Sequence, residues 1–178
     1  MKQIQGGVTA AKGFEAASVE ARIKYQNRKD MALVYSQVPC VAAGTFTTNV
    51  VKAAPVKWDQ EVVYHSESAH AVLINSGIAN AWTGAEGYGY CKQTAEAAAK
   101  ALNVPESSVL VASTGVIGMQ LPMDRIAAGV ELLAKGKEDT EEAGLDAAKT
   151  IMTTDTTQHK VGEEIEIGSN TLNRTVLI

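Results

Sequence analysis

His70-Ala71-Val72-Leu73-Ile74-Asn75 is an almost unbroken apolar run. A run this short suits a β-strand covered on both faces better than a helix. Val109-Leu110-Val111-Ala112 is a second such run. Between them lies Gln93-Thr94-Ala95-Glu96-Ala97-Ala98-Ala99-Lys100-Ala101-Leu102, a tract of strong helix formers with small side chains. Strand, helix and strand in that order predict an α/β domain. The helical stretch is placed between Gly84 and Leu102, with Gly84, Gly87 and Gly89 loosening its start and Pro105 marking its end.

Upstream, Met31–Ser36, Val41–Thr47 and Glu61–His65 read as further strands. Val38-Pro39-Cys40 reads as a turn, because proline lacks a ladder donor. Downstream, Pro122 suits the first turn of a second helix. Ile126, Val130 and Leu133 form its apolar stripe, and Gly136 is its stop. A third helix is expected from Thr140 to Met152, with Ala143, Ala147 and Ile151 on one face. Glu163–Ile167 and Arg174–Ile178 read as a hairpin around Gly168-Ser169-Asn170. The order predicts one α/β domain over residues 1–178 with a mixed sheet. The apolar Val176-Leu177-Ile178 is expected to be paired or packed, as it would be within a larger fold.

The 178 residues are enough for one domain with a sizeable core. Apolar residues are 46% and charged residues 20%, as in soluble globular proteins. With 20 acidic against 16 basic residues, the formal charge is −4. That balance argues against nucleic acid or an anionic membrane as partner. The aromatic content of 5% argues against base stacking. No apolar run is long enough to span a bilayer, and Met1–Gly7 lacks the apolar core of a signal peptide, so a cytoplasmic location is expected. Cys40, Cys91, His65, His70 and His159 show no metal-ligand spacing, so no metal site is expected. The cysteines read as thiols, with one disulfide as the alternative.

Three segments can carry chemistry. Ser113-Thr114-Gly115-Val116-Ile117-Gly118 follows a strand and precedes a helix. Its backbone N–H groups can face a ligand, Gly115 permits close approach, and the Thr114 hydroxyl can donate to a developing negative charge. The alternative is an ordinary strand-to-helix turn. Met152-Thr153-Thr154-Asp155-Thr156-Thr157 ends the third predicted helix with hydroxyls able to bind a polar substrate. The alternative is a solvated helix end, although an aspartate there opposes the helix dipole. Ile74-Asn75-Ser76-Gly77-Ile78-Ala79-Asn80-Ala81-Trp82-Thr83-Gly84 reads as a polar, glycine-punctuated loop after a buried strand; it can hold a ligand, or Asn75, Ser76 and Asn80 can satisfy their own turn backbone. A GxSxG elbow and an HExxH motif are both missing.

Several segments, taken in order, resemble one family. They are Gly6–Phe14, Ala43–Asn49, Lys52–Val56, Asn75–Ala81, Ser113–Gly118, Leu121–Met123 and Ile151–Asp155. Together they are similar to the N-terminal (α) half of the bifunctional ornithine acetyltransferase/N-acetylglutamate synthase family of arginine biosynthesis. The resemblance covers about residues 5–160. It implies a layered α-β-β-α sandwich with mixed sheets, completed by a second (β) chain, with αβ pairs assembling to a heterotetramer. It also implies a self-cleaving precursor whose β chain begins with a nucleophilic threonine. Acetyl would pass from N-acetylornithine to glutamate through an acetyl-threonine, with acetyl-CoA as a further donor in some members and no bound cofactor. The family's oxyanion pair falls on Thr114 and Gly115. Its substrate-contacting threonine falls on Thr153, with Thr154 as the neighbouring alternative. After Lys160 the motifs stop, and neither the family's substrate lysine nor its nucleophilic threonine has a counterpart. A chain that keeps the fold as a non-catalytic binding or assembly module is the competing reading.

Overall fold

The computed structural model describes residues 2–4, 6–157, 160–167 and 170–177. Seven strands and four helices follow in chain order among them: β1 (Lys2–Ile4), β2 (Phe14–Val19), β3 (Met31–Cys40), α1 (Ala54–His65), β4 (Ala69–Ile78), α2 (Glu86–Leu102), β5 (Val109–Val116), α3 (Met123–Lys135), α4 (Glu141–Thr150), β6 (Lys160–Ile167) and β7 (Asn170–Leu177). A four-stranded sheet has the order β2-β3-β4-β5. Its first two pairings are antiparallel, and β4 runs parallel to β5. A three-stranded sheet has the order β1-β6-β7. The fold is α/β with a mixed sheet, as the sequence predicts.

The four-stranded sheet is covered on both faces, which explains the unbroken apolar runs. Ala17, Leu33, Leu73, Val109 and Val111 point to one face and pack with Trp58, Ala95, Ile126, Val130 and Leu133 of α1, α2 and α3. Ala16 and Ala32 point to the other face and pack with Ala147 of α4, with Ile74 and Ala143 beside them. The small side chains let α4 lie close to β2 and β3. None of the described helices is long and apolar enough to cross a membrane.

Several expectations need correction. Glu61–His65 is the last stretch of α1, not a strand. Ala54, Pro55, Trp58 and Val62 form its buried stripe at helical spacing, and the β-branched pair Val62-Val63 is misleading outside that frame. Val41–Thr47 forms no strand; Val41 is 94% exposed, so nothing repays its ordering. β3 instead runs through Pro39 to Cys40, with an irregular register after Tyr35. β1 and β2 are strands that the sequence reading passed over.

The helix ends follow capping chemistry. α2 stops at Asn103, whose φ of 56° is left-handed and whose N–H donates to the Ala99 carbonyl. Thr140 caps α4 by accepting from the Ala143 N–H at 3.2 Å. The expected hairpin exists as β6 paired antiparallel with β7, and β1 adds to its other side. Gly168, Ser169, His159 and Ile178 lie outside the described residues.

Candidate functional site

The sequence reading ends the fifth strand at Ala112; the structure carries it to Val116. Ser113, Thr114, Gly115 and Val116 pair in register with Asn75, Ser76, Gly77 and Ile78 of β4. The strand-to-helix turn therefore starts later than expected, and Thr114 and Gly115 stand on the strand tip.

β5 is the last strand of its sheet, so one side of it has no strand neighbour among the described residues. Helix α1 covers the first part of that edge. The Trp58 indole Nε1 donates to the Val109 carbonyl at 2.9 Å. The Asp59 carboxylate accepts from the Val111 N–H at 2.9 Å. Two neighbouring side chains thus take the places of a strand's carbonyl and amide. Backbone polar groups alternate along a strand. Those of Ser113 and Gly115 therefore face the same outer side as Val109 and Val111, beyond the residues that α1 covers. The Val116 carbonyl obeys the same parity, facing β4 and accepting from the Ala79 N–H at 2.9 Å. Gly115 is exposed, and strand alternation from Val111 puts its amide on the outer side.

Only glycine fits at this tip. Gly115 has φ of +134°, and a Cβ there would lie 2.3 Å from the carbonyl carbon of Gly77. The Thr114 side chain takes the opposite parity to Val111. Ile74 pairs with Ala112, so Ala112 and Thr114 share the face on which α4 packs. Thr114 is half-buried, and its hydroxyl has no hydrogen-bond partner among the described residues. An exposed glycine and a free hydroxyl thus stand on consecutive residues at the strand tip, with donor types that can bind an anion.

Thr153 and Thr154 are exposed beyond the end of α4, and the structure leaves their hydroxyls without partners among the described residues. Thr153 lines a cleft of ≈ 470 Å³ with Arg28, Lys29, Asp146, Lys149 and Asp155. Lys29 Nζ lies 2.6 Å from Asp146 and Lys149 Nζ 3.6 Å from it. The hydrogen bond from Lys29 holds the Asp146 carboxyl below the usual carboxylate range, against a smaller opposing effect of burial. Asp155 lies five positions past Thr150, the last residue of α4, and lines the same cleft as Lys149 and Thr150. Thr114 and Gly115 do not line this cleft. Of the two, Thr114 lies on the α4 side of the sheet, the side on which the cleft opens.

The third segment is not all loop: β4 continues to Ile78, because Ile74–Ile78 pair with Ala112–Val116 of β5. Asn75 donates from Nδ2 to the Ile78 carbonyl at 2.8 Å and accepts from the Ser113 hydroxyl at 2.6 Å. Asn80 is fully buried and donates to the Gly87 carbonyl at 2.9 Å. The two amides are thus used up in holding backbone and neighbouring side chains, whereas the buried Ser76 hydroxyl has no partner among the described residues. Cys40 and Cys91 are free thiols. Groups of three or more histidine, cysteine, aspartate or glutamate side chains able to hold a metal do not occur among the described residues.

Two groups escaped sequence reasoning. Asp59 sits inside α1, where local sequence signals a strand at Glu61–His65 and no helix, and burial pushes its carboxyl up to about 6. Arg28 donates from a terminal guanidinium nitrogen to the Met152 carbonyl at 2.6 Å across 124 positions of sequence. No local spacing signals such a contact.

Comparison with known proteins gives a consistent result. The sequence pattern of the ArgJ family matches residues 15–176. The match runs through β6 and most of β7, so the family likeness extends past Lys160, where the motifs stop. The arginine biosynthesis bifunctional protein ArgJ of Thermotoga neapolitana is 49% identical over 82% of this chain and 36% of its own length. That of Symbiobacterium thermophilum is 47% identical over 97% of this chain and 42% of its own length. The chain thus spans well under half the length of these curated relatives. The crystal structure of ArgJ from Bacillus halodurans superposes with a TM-score of 0.94 at 35% identity, covering 99% of this chain and 92% of that one. The ornithine acetyltransferase of Mycobacterium tuberculosis, crystallised with ornithine, gives 0.89 at 41% identity over 98% of this chain and 93% of that one. In sequence and in fold, this chain belongs to the ArgJ family and corresponds to its N-terminal, α part.

Proposed function

We propose that this chain is the α part of an acetyltransferase that moves acetyl from N-acetylornithine to glutamate, working as one α/β unit over residues 1–178. Thr114 and Gly115 bind the oxyanion, and Thr153, with Thr154 beside it, binds the substrate. The attacking hydroxyl belongs to the N-terminal threonine of a β chain, in αβ pairs that assemble to a heterotetramer. Acetyl-CoA, a donor for some members of the family, is the second donor to assay, and the location is cytoplasmic.

The steps balance without a cofactor. The threonine Oγ forms a bond to the acetyl carbonyl carbon, and its proton goes to the threonine's own α-amine. The carbonyl oxygen becomes negative and takes hydrogen bonds from the Gly115 N–H and the Thr114 O–H. When the tetrahedral species collapses, the bond to the ornithine nitrogen breaks and that nitrogen takes the proton. Acetyl stays on the threonine. The glutamate amine then attacks and the sequence runs in reverse.

The observation that carries the reading is the Gly115 amide, exposed on the part of the β5 edge that α1 leaves open, beside the unpartnered Thr114 hydroxyl. These donors are held by a β ladder, so they need little reorganisation as charge develops. The test is acetyl transfer by this chain combined with the β chain of a relative. Thr114→Ala is expected to lower kcat by roughly 10²–10³, the usual cost of one oxyanion donor, with the melting temperature unchanged. Transfer that survives Thr114→Ala undiminished refutes the assigned role. A stable complex that forms no acetyl-enzyme supports the assembly-module reading instead.

A further inference from the structure

Residues 20–30 join β2 to β3, and their last three residues reach both halves of the candidate site. Arg28 donates to the Met152 carbonyl, the residue before Thr153, at 2.6 Å. Lys29 pairs with Asp146 of α4, also at 2.6 Å. The Asp30 carbonyl accepts from the Ser76 N–H at 2.8 Å. Ser76 is the cross-strand neighbour of Thr114. Three consecutive residues therefore tie the β4–β5 tip to the segment that carries Thr153.

The connection itself is stiff. Asp30 is fully buried, and its two carboxylate oxygens accept from the Ala21 and Ile23 N–H groups at 2.7 and 2.6 Å. Its own N–H donates to the Val19 carbonyl at 2.9 Å. The Arg28 guanidinium lies over the Tyr25 ring at 5.3 Å. Tyr25 in turn packs near Gly77, where an added Cβ would come within 3.6 Å of the ring. Arg28 is thus braced against the strand tip while it holds the far segment. A carbonyl just past a helix C-terminus is also a favourable place for a cation.

We propose that Arg28-Lys29-Asp30 is a strut that sets the spacing between the oxyanion cradle and the substrate threonine, with Arg28 as the positioning residue for Thr153. The inference rests on the acetyltransferase reading above for what the spacing serves, while the strut itself rests on the contacts just described. Arg28 touches no reacting atom in this account.

Two measurements test it, on Arg28→Gln and Arg28→Lys. The first is amide hydrogen exchange of this chain. Ile151 and Met152 both donate to the Lys149 carbonyl. In Arg28→Gln their exchange should quicken by about tenfold, the scale of losing one charge-assisted bond, with the core strand β4 unaffected. The second is the kinetics of the chain paired with a relative's β chain. Arg28→Gln should raise KM for N-acetylornithine by about tenfold and leave kcat within about twofold. Arg28→Lys, which keeps a charged donor, should recover most of the loss in both measurements. General destabilisation would lower the active fraction and hence apparent kcat, without this split. Unchanged exchange at Ile151 and Met152 overturns the strut, whatever the activity. Quickened exchange with unchanged KM overturns the positioning role. If the starting complex transfers no acetyl at all, the acetyltransferase reading falls, and the exchange result alone decides the strut. Should Arg28→Gln fail to fold, Arg28→Met, which keeps the apolar stem over Tyr25 but has no donor for the Met152 carbonyl, is measured in its place on the same criteria.

Discussion

Asp59→Asn isolates the energetic cost of capping a strand edge with a carboxylate. Asp59 is half-buried between α1 and β5, and its ordinary value of 3.8 is raised to about 6 by burial, against the opposing pull of the Val111 hydrogen bond. Below about pH 4 the folded and unfolded chains both hold the proton, and the group contributes nothing to pH dependence. Between 3.8 and about 6 the unfolded chain releases the proton while the folded chain keeps it. Stability must therefore fall as pH rises through that window and level off above it. The displacement from 3.8 to about 6 corresponds to a loss of at most about 3 kcal/mol by pH 7, at about 1.4 kcal/mol for each tenfold in the ionisation constant. Partial solvent access reduces that ceiling to roughly 1–3 kcal/mol. Asparagine keeps an oxygen to accept from Val111 and does not ionise. Urea unfolding of both proteins from pH 4 to pH 7.5 should show the Asn variant gaining on the starting chain by roughly 1–3 kcal/mol across the window. Parallel curves would refute the reasoning, because they would mean that Asp59 ionises as freely in the fold as in the open chain.

Two further outcomes follow from the same geometry. On the proposed reading, Gly115→Ala should lower the melting temperature and abolish acetyl transfer by the chain paired with a relative's β chain, since its Cβ would fall 2.3 Å from the Gly77 carbonyl carbon and its φ is +134°; the conformation alone costs about 1–3 kcal/mol, and a variant with normal melting and normal transfer would show that the tip is not packed as described. Cys91 is fully buried and its thiol is pushed up to about 12, chiefly by burial and then by Asp59, whereas Cys40 is half-buried. A thiol reagent should therefore label one cysteine in the native chain and both in urea, which mass mapping to Cys40 would check.

The strands β4 and β5 were readable because their apolar runs report burial on two faces, and α2 and α3 because helix formers and an apolar stripe agree there. The failures have physical causes. In α1 the eye catches Val62-Val63 as a strand, but the buried set is Ala54, Pro55, Trp58 and Val62, a pattern visible only once Pro55 is taken as a helix start. β2 is short and half-polar, and it is a strand because β3 pairs with it, not because Phe14–Val19 prefers to be one. The site divides in the same way. Gly115 and Thr114 can be suspected from a glycine and a hydroxyl after a strand, yet local sequence predicts a turn where the ladder in fact continues.

That difference matters to the chemistry. A donor in a turn must be held by its own loop, whereas a donor on a strand tip inherits the rigidity of the ladder beneath it. The rigidity is imposed from elsewhere in the chain: by Trp58 and Asp59 on the outer edge of β5, and by Asp30 on the backbone of Ser76. None of these residues looks functional in sequence, because each acts through a contact between distant segments. Residue types that could do the chemistry are legible locally, while the residues that fix their geometry become legible only when the chain is folded. In this chain those supports converge on Gly115 from both sides of β5, from α1 at the edge and through β4 from the 20–30 connection.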